Sequence, residues 1–188
     1  ALGILAASGQ IRREALAGYE FLGELSLTGE LRAVDGVLPA ALAVATAGRT
    51  LVVPEPSGAE AALARQGQAF TGRTLLEVCA LLEGRKAIPA AIAPPALPSS
   101  IPDMADVRGQ VHARRALEVA AAGGHHLLLV GSPGCGKTLL ASRLPGLLPE
   151  ATDAEAMESA AIASVSGRGL DPARWRQRPY RAPHHTAS

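Results

Sequence analysis

The chain has 188 residues, 48% of them hydrophobic and 19% charged, and its formal net charge at pH 7 is +1. This composition favours a packed core and excludes bulk disorder, while the small net charge excludes a polycationic tail as the main device for binding nucleic acid. The two cysteines, Cys79 and Cys135, are too few for a disulfide framework. Because no apolar run approaches the ~18 residues of a membrane span and no basic segment precedes the apolar opening, we expect a soluble cytoplasmic protein without a membrane partner.

The first 86 residues mix β-leaning and helical patterns, which predicts an α/β unit. Residues 1–7 are apolar on every face and lack a preceding cap, which indicates the end of a buried helix. Two capping boxes, Ser57 with Glu60 and Thr74 with Glu77, each predict the start of a helix. The other predicted elements are a hairpin of residues 19–27 with 31–34, a helix over 37–47 that Gly48 ends, a buried strand over 50–54 and a helix over 75–82.

A proline-rich stretch separates this region from the rest of the chain. Five prolines fall between residues 89 and 102, among alanines and serines. Such a density prevents helix and sheet and favours extended polyproline II, so residues 87–102 are predicted to be an interdomain linker. Residues 1–86 and 103–188 are then two separate domains.

The second region begins near residue 103 and contains both helical and strand-like patterns. Its capping box, Thr152 with Glu155, predicts a helix that continues to about residue 165, and the chain becomes irregular and basic after Gly167. The other predicted elements are a helix over 110–122 that ends at Gly123 and Gly124, a fully buried strand over 126–130, and a helix over 137–144 that Pro145 terminates.

One motif in this region indicates a specific chemistry. Residues 131–138 (GSPGCGKT) fit the phosphate-binding pattern G-x-x-x-x-G-K-[ST], with a predicted strand before the loop and a predicted helix after it. Glycines let successive backbone N–H groups turn toward phosphate oxygens, and the N-terminus of the following helix faces the same oxygens. Lys137 can reach the β- and γ-phosphates and Thr138 can ligate Mg²⁺, so these two residues take the predicted catalytic roles and Thr138 the metal role. The predicted nucleotide-binding residues are Gly131, Ser132, Pro133, Gly134, Cys135, Gly136, Lys137, Thr138 and Leu139, with ATP and Mg²⁺ as cofactors.

Two interpretations stay open around this motif. The loop is either a phosphate cradle or a Gly-rich turn between a strand and a helix, and Cys135 is either a reactive thiol at a helix N-terminus or a small side chain tolerated there.

Lys137 and Lys86 are the only lysines among 18 basic residues, which favours a chemical requirement for the ammonium group at Lys137. Residues 107–110 lie at the distance along the chain where an adenine-contacting segment is expected.

In proteins with this phosphate-binding loop, ATP hydrolysis requires a second, acidic motif, which consists of four apolar residues followed by Asp-Glu. No Asp-Glu pair occurs in the sequence, and none of the acids after Lys137 follows an apolar strand. We therefore expect these 188 residues to bind nucleotide but to hydrolyse it poorly or not at all. The acids concerned are Glu150, Asp153, Glu155, Glu158 and Asp171.

The last part of the chain is basic and aromatic. From Arg168 onward there are five arginines and one acid, with Trp175 and Tyr180 interleaved. This pattern is typical either of a surface that contacts a nucleic-acid backbone and stacks on bases, or of a solvated loop whose arginines pair with acids elsewhere. His184-His185 is a weak candidate metal pair, and His125-His126 is more typical of a structural position.

Four segments together resemble the YifB/ComM family of bacterial AAA+ ATPases, which are also called magnesium-chelatase-like. They are residues 106–110 (DVRGQ), 120–129 (AAAGGHHLLL) and 176–188 (RQRPYRAPHHTAS), together with 23–32 (GELSLTGELR), which resembles the Lon-protease-like domain of this family. The resemblance implies an α/β chain: a partial Lon-protease-like (ribosomal protein S5 domain 2-like) α+β domain over 1–86, the linker over 87–102, and the N-terminal part of a P-loop AAA+ α/β/α domain over 103–188.

The resemblance also implies a function for the complete protein. Lon proteases use a Ser–Lys dyad, but the lysine expected near Ala40 is absent and the serine would precede Ala1, so the first domain resembles a scaffold or assembly module. Family members are ATP-driven hexameric motors, and ComM-type members promote DNA branch migration during the integration of transforming DNA. Sensor residues and an arginine finger are absent from these 188 residues. Two alternatives remain: the motor subunit of magnesium chelatase, and a non-catalytic nucleotide-binding or assembly module.

Overall fold

The computed structural model describes residues 1–97, 101–167 and 169–183. They divide into two compact units, the first comprising Ala1–Leu97 with Met157–Trp175 and the second Pro98–Ala156 with Arg176–Ser188. The elements of the first unit before residue 97 are α1 (Leu2–Ala7), β1 (Tyr19–Phe21), β2 (Glu24–Leu25), β3 (Leu31–Arg32), α2 (Val37–Thr46), β4 (Thr50–Pro54), α3 (Gly58–Ala61), β5 (Gln68–Gly72) and α4 (Leu75–Leu82).

A three-stranded parallel sheet forms the centre of the first unit, with strand order β1-β4-β5. The middle strand, β4, is the apolar run predicted to be buried, and Leu51 and Val53 are 2% and 0% exposed. A continuous apolar run suits a central parallel strand, because both of its faces are covered. The predicted mixed α/β class is confirmed.

The predicted hairpin strand over 19–27 forms two separate strands. Its first part, β1, pairs in parallel with β4, whereas its second part, β2, pairs antiparallel with β3 around the predicted turn. The sequence analysis did not predict β5, a five-residue strand that pairs with β4 along its whole length. Helix α1 forms as predicted but is not buried all round, since Ile4 is 74% exposed.

Of the two capping boxes predicted in this unit, the one at Thr74 forms its N-cap hydrogen bond. The Glu77 N–H donates to Thr74 Oγ1 at 3.2 Å, and α4 begins at the next residue after Thr74 as predicted. The Glu77 carboxylate accepts the Arg73 N–H and the Lys86 ammonium, and these two contacts hold the pKa of Glu77 below its ordinary value.

The other capping box, at Ser57, does not form. Ser57 makes no side-chain cap to α3, and Glu60 instead accepts a hydrogen bond from the Leu38 N–H at 2.9 Å, at the start of α2. The Ser164 hydroxyl donates to the same carboxylate oxygen. Glu60 therefore caps a helix 22 positions earlier in the chain rather than its own.

The second unit contains α5 (Val111–Gly123), α6 (Lys137–Leu147) and the first turn of α7 (Asp153–Val165), whose residues from Met157 onward belong to the first unit. The buried side chains of Met104, Val107, Leu117 and Leu140 form its core. The capping box that opens α7 is confirmed, because the Thr152 N–H donates to Glu155 and the Glu155 N–H donates to Thr152 Oγ1.

The predicted buried strand over 126–130 does not form. The segment has no regular secondary structure, and Leu128 and Val130 are both 84% exposed. A strand needs a neighbour to satisfy its N–H and C=O groups, and the described part of the second unit contains no other strand. The segment is therefore an irregular connection between α5 and the loop that follows, in which Leu129 packs against the core and the side chains of Leu128 and Val130 face solvent.

Helix α6 continues past Pro145, which was predicted to end it. Proline lacks the N–H that would bond the carbonyl four residues earlier, in this case that of Ala141. The Tyr180 hydroxyl donates to the Ala141 carbonyl at 3.3 Å. A side chain from elsewhere in the unit thus supplies the donor that Pro145 removes, and the helix extends to Leu147.

Candidate functional site

The loop predicted to bind phosphate connects the segment 125–130 to the N-terminus of α6. Gly134 and Gly136 have φ values of +80° and +89°, in the left-handed region that L side chains rarely adopt. Gly136 is also the residue immediately before α6. The motif glycines therefore stand where the backbone must turn sharply into the helix.

Lys137 extends its side chain back over the loop. Its ammonium donates to the carbonyls of Gly131 and Ser132 at 2.9 and 2.8 Å, and it lies 3.6 Å from Cys135 Sγ. Lys137 is also the first residue of α6, an 11-residue helix whose N-terminus carries a partial positive charge. A full and a partial positive charge therefore act at the same loop, an arrangement suited to a polyanion.

The rest of the predicted residue set is accessible. Leu140 is 4% exposed and anchors α6 in the core, whereas Thr138 and Leu139 lie on the solvent side of the first turn. A ligand at the loop can therefore reach the Thr138 hydroxyl, which is a suitable oxygen ligand for Mg²⁺. Gly131, Ser132, Pro133 and Gly134 are exposed, and Cys135, Gly136 and Lys137 are half-buried.

A residue that the sequence analysis had not assigned to the loop contacts it. Gln110, immediately before α5, donates from Nε2 to the Cys135 carbonyl at 3.2 Å. Its position along the chain predicts a place in an adenine-contacting segment, residues 107–110, rather than in the phosphate loop. Gln110 and Cys135 are 25 positions apart, so no local sequence pattern predicts their contact. The one local feature is a long amide side chain directly after Gly109.

Two of the arginines near the end of the chain pair with acids of α7. Arg176 contacts Asp153 at 2.6 Å and Arg178 contacts Glu155 at 3.1 Å, both in the first turn of α7. The pKa of Glu155 lies below its ordinary value, chiefly because the Thr152 N–H and hydroxyl donate to it, with the Arg178 charge adding to the effect. The structure thus favours the interpretation of these arginines as partners of acids.

Trp175 is not available for stacking on a base. It is 7% exposed, and the Arg65 guanidinium lies 5.7 Å from the centre of its ring. Tyr180 is 49% exposed. Arg168 and the His184-His185 pair lie outside the described residues, and the part of the chain that is described contains no group of three or more His, Cys, Asp or Glu side chains able to hold a metal ion.

No helix within the described ranges is both long enough and apolar enough to cross a membrane.

Two family models match this sequence. Residues 103–188 match the family described as magnesium chelatase, subunit ChlI. Residues 1–57 match the family described as subunit ChlI of Mg-chelatase. The two matches cover the first part of the first unit and the whole of the region that contains the loop.

Curated relatives align with the entire chain. Competence protein ComM of Haemophilus influenzae is 47% identical over 194 residues, which is 100% of this chain and 38% of the relative. The uncharacterized protein YifB is 47% identical over 189 residues in Salmonella typhimurium and 44% identical over 189 residues in Escherichia coli, in both cases 100% of this chain and 37% of the relative. The chain thus spans less than two fifths of the length of these relatives. It belongs to the YifB/ComM family of magnesium-chelatase-like AAA+ proteins.

Proposed function

We propose that the second unit binds ATP with Mg²⁺ at residues 131–139. The observation that carries this proposal is the position of the Lys137 ammonium, held over a loop with two left-handed glycines at the N-terminus of α6. The residues fit the ligand, because backbone N–H groups, the helix N-terminus and an ammonium suit phosphate oxygens, and the Thr138 hydroxyl suits Mg²⁺. When bound, Mg²⁺ would neutralise phosphate charge. Gly134 and Gly136 shape the loop, and Lys137 holds its ammonium group beside the carbonyls of Gly131 and Ser132.

Replacement of the lysine tests this proposal. We expect Lys137→Ala to weaken the binding of a fluorescent ATP analogue with Mg²⁺ roughly 10- to 100-fold, because a hydrogen-bonded charge contributes about 1.5–3 kcal/mol. Lys86→Ala is the matched control, since it removes the only other lysine of the chain, which pairs with Glu77 in the first unit. Equal affinity in the Lys137→Ala and Lys86→Ala variants would contradict the assignment of the loop.

A longer protein of this family that contains these residues would hydrolyse the bound ATP to drive its activity. The relatives are more than twice as long as the chain, and AAA+ membership supports ATP hydrolysis by a homo-oligomer, which we propose to be a cytoplasmic hexamer. The exposed side chains of Leu127, Leu128 and Val130 fit this proposal, because further strands of an α/β/α domain would cover them. Residues 1–86 would be the Lon-protease-like module, joined through the linker 87–102 to the ATPase domain that begins at 103.

DNA is the client that we propose for the longer protein. The support is the 47% identity to a relative named competence protein ComM. Arg176 and Arg178, which pair with acids of α7, do not add to this support. The description of the matched families favours a second candidate, the motor subunit of a magnesium chelatase. ATP turnover of the full-length protein, measured at fixed salt with branched DNA or with a porphyrin, distinguishes the two.

A further inference from the structure

Gln110 has an unusual backbone conformation. Among the described residues it is the one non-glycine with a positive φ, at +52°, and it directly follows Gly109 at +70°. The left-handed region crowds an L side chain, and glycine or asparagine is the usual occupant. Glycine at position 110 would adopt this conformation without strain, whereas glutamine does not. We therefore ask what the glutamine side chain contributes.

The strained turn is held from several directions. The Gln110 carbonyl accepts the first backbone bond of α5, from the Arg114 N–H at 2.9 Å. The Arg114 guanidinium donates to the Val107 carbonyl at 3.3 Å, and Val107 itself is 4% exposed in the core. These contacts fix the start of α5. The Gln110 side chain therefore extends from a backbone whose position is fixed.

That side chain makes one contact with the loop, from Nε2 to the Cys135 carbonyl. The carbonyl of Cys135 and the N–H of Gly136 belong to one planar trans peptide, in which the two groups point in opposite directions. A donor that holds the carbonyl on the side of α5 therefore directs the Gly136 N–H to the other side. Inward-pointing N–H groups in this part of the loop are what a phosphate requires.

We infer that Gln110 is a positioning residue of the nucleotide site, which presets the Cys135–Gly136 peptide for phosphate binding. This inference rests on the proposed function of the loop. Lys137 orients the carbonyls at the other end of the loop, those of Gly131 and Ser132. The Gln110 contact does not involve Lys137. It can therefore hold the Cys135–Gly136 peptide both when the Lys137 ammonium contacts the loop carbonyls and when it contacts a phosphate.

Gln110→Gly separates positioning from a merely structural role. Glycine removes the amide but relieves the left-handed backbone, so we expect the unfolding midpoint in urea to stay equal or rise. We expect affinity for a fluorescent ATP analogue with Mg²⁺ to fall roughly 3- to 10-fold, the effect of one neutral hydrogen bond. Gln110→Asn tolerates the backbone but is one methylene too short, so we expect a similar loss. Arg115→Ala, on the exposed side of α5, is the control with parent affinity.

The outcomes distinguish the inference from the function on which it rests. Parent affinity in both Gln110→Gly and Gln110→Asn, with binding lost in Lys137→Ala, would overturn the role of Gln110 and leave the nucleotide site intact. Parent affinity in Lys137→Ala as well would overturn both. Reduced affinity in the two Gln110 variants, without reduced stability, would support the inference.

Discussion

At the scale of single residues, Glu60 shows how one carboxylate can hold separate parts of a unit together. It accepts from the backbone of Leu38 and from the hydroxyl of Ser164, a residue 104 positions later. Leu38 is fully buried, so its N–H has no access to water if the carboxylate is lost. The pattern Ser-x-x-Glu at 57–60 predicted a local cap because it contains no information about these distant partners.

Glu60→Ala is expected to destabilise the first unit by about 1–3 kcal/mol, because it leaves the Leu38 N–H unpaired at the start of α2. Trp175 is the only tryptophan of the chain and is buried in the first unit, so its fluorescence during urea unfolding reports on this unit. Glu158→Ala is the control, since Glu158 is exposed on α7. A midpoint equal to that of this control would show that the Glu60 contacts contribute nothing.

At the scale of elements, α6 illustrates a proline accommodated by a distant side chain. Pro145 leaves the Ala141 carbonyl without its helical donor, and the Tyr180 hydroxyl takes that place. Sequence rules correctly identified the missing N–H, but they could not identify a replacement donor 39 positions away. For the same reason the helix was predicted to end at 144 rather than at Leu147.

A double-mutant cycle tests this account of α6. Tyr180→Phe is expected to destabilise the second unit by about 0.5–1 kcal/mol, since the contact is long and partly exposed. With Pro145→Ala in the background, the restored N–H can bond the Ala141 carbonyl, and the effect of Tyr180→Phe should fall to near zero. Additive effects on the denaturant midpoint, followed by far-UV circular dichroism, would contradict the proposed exchange of donors.

Other elements also show what sequence patterns can and cannot predict. Helix α4 matches its prediction at both ends, because its cap and its end signal are local. The apolar segment 127–130 has the pattern of a buried strand, but burial depends on neighbours that the described part of the second unit does not provide. The turn of the loop into α6 was predictable, since its pattern is contained in eight consecutive positions, whereas the role of each residue in nucleotide binding stays a prediction. The Gln110 contact was not, because it joins two separate segments.

At the scale of the whole molecule, each of the two units is made of two separate stretches of the chain. Residues 157–175 belong to the first unit, although they come after the loop in sequence. The boundaries at 86 and 102 remain predictions, because a proline-rich stretch marks where a chain is extended but not which later segments return to pack. Family membership, by contrast, extends over the entire chain, since each relative aligns with 100% of it.

The central claim is that ATP with Mg²⁺ binds at residues 131–139, and its most direct test is a titration of the isotopically labelled chain followed by amide resonances. At 19.2 kDa the chain is small enough for resolved spectra. We predict one saturable site, with the largest shifts at Gly134, Gly136, Lys137 and Thr138, since their N–H groups would face the phosphates. The absence of shifts at saturating nucleotide, or shifts confined to the first unit, would contradict the account.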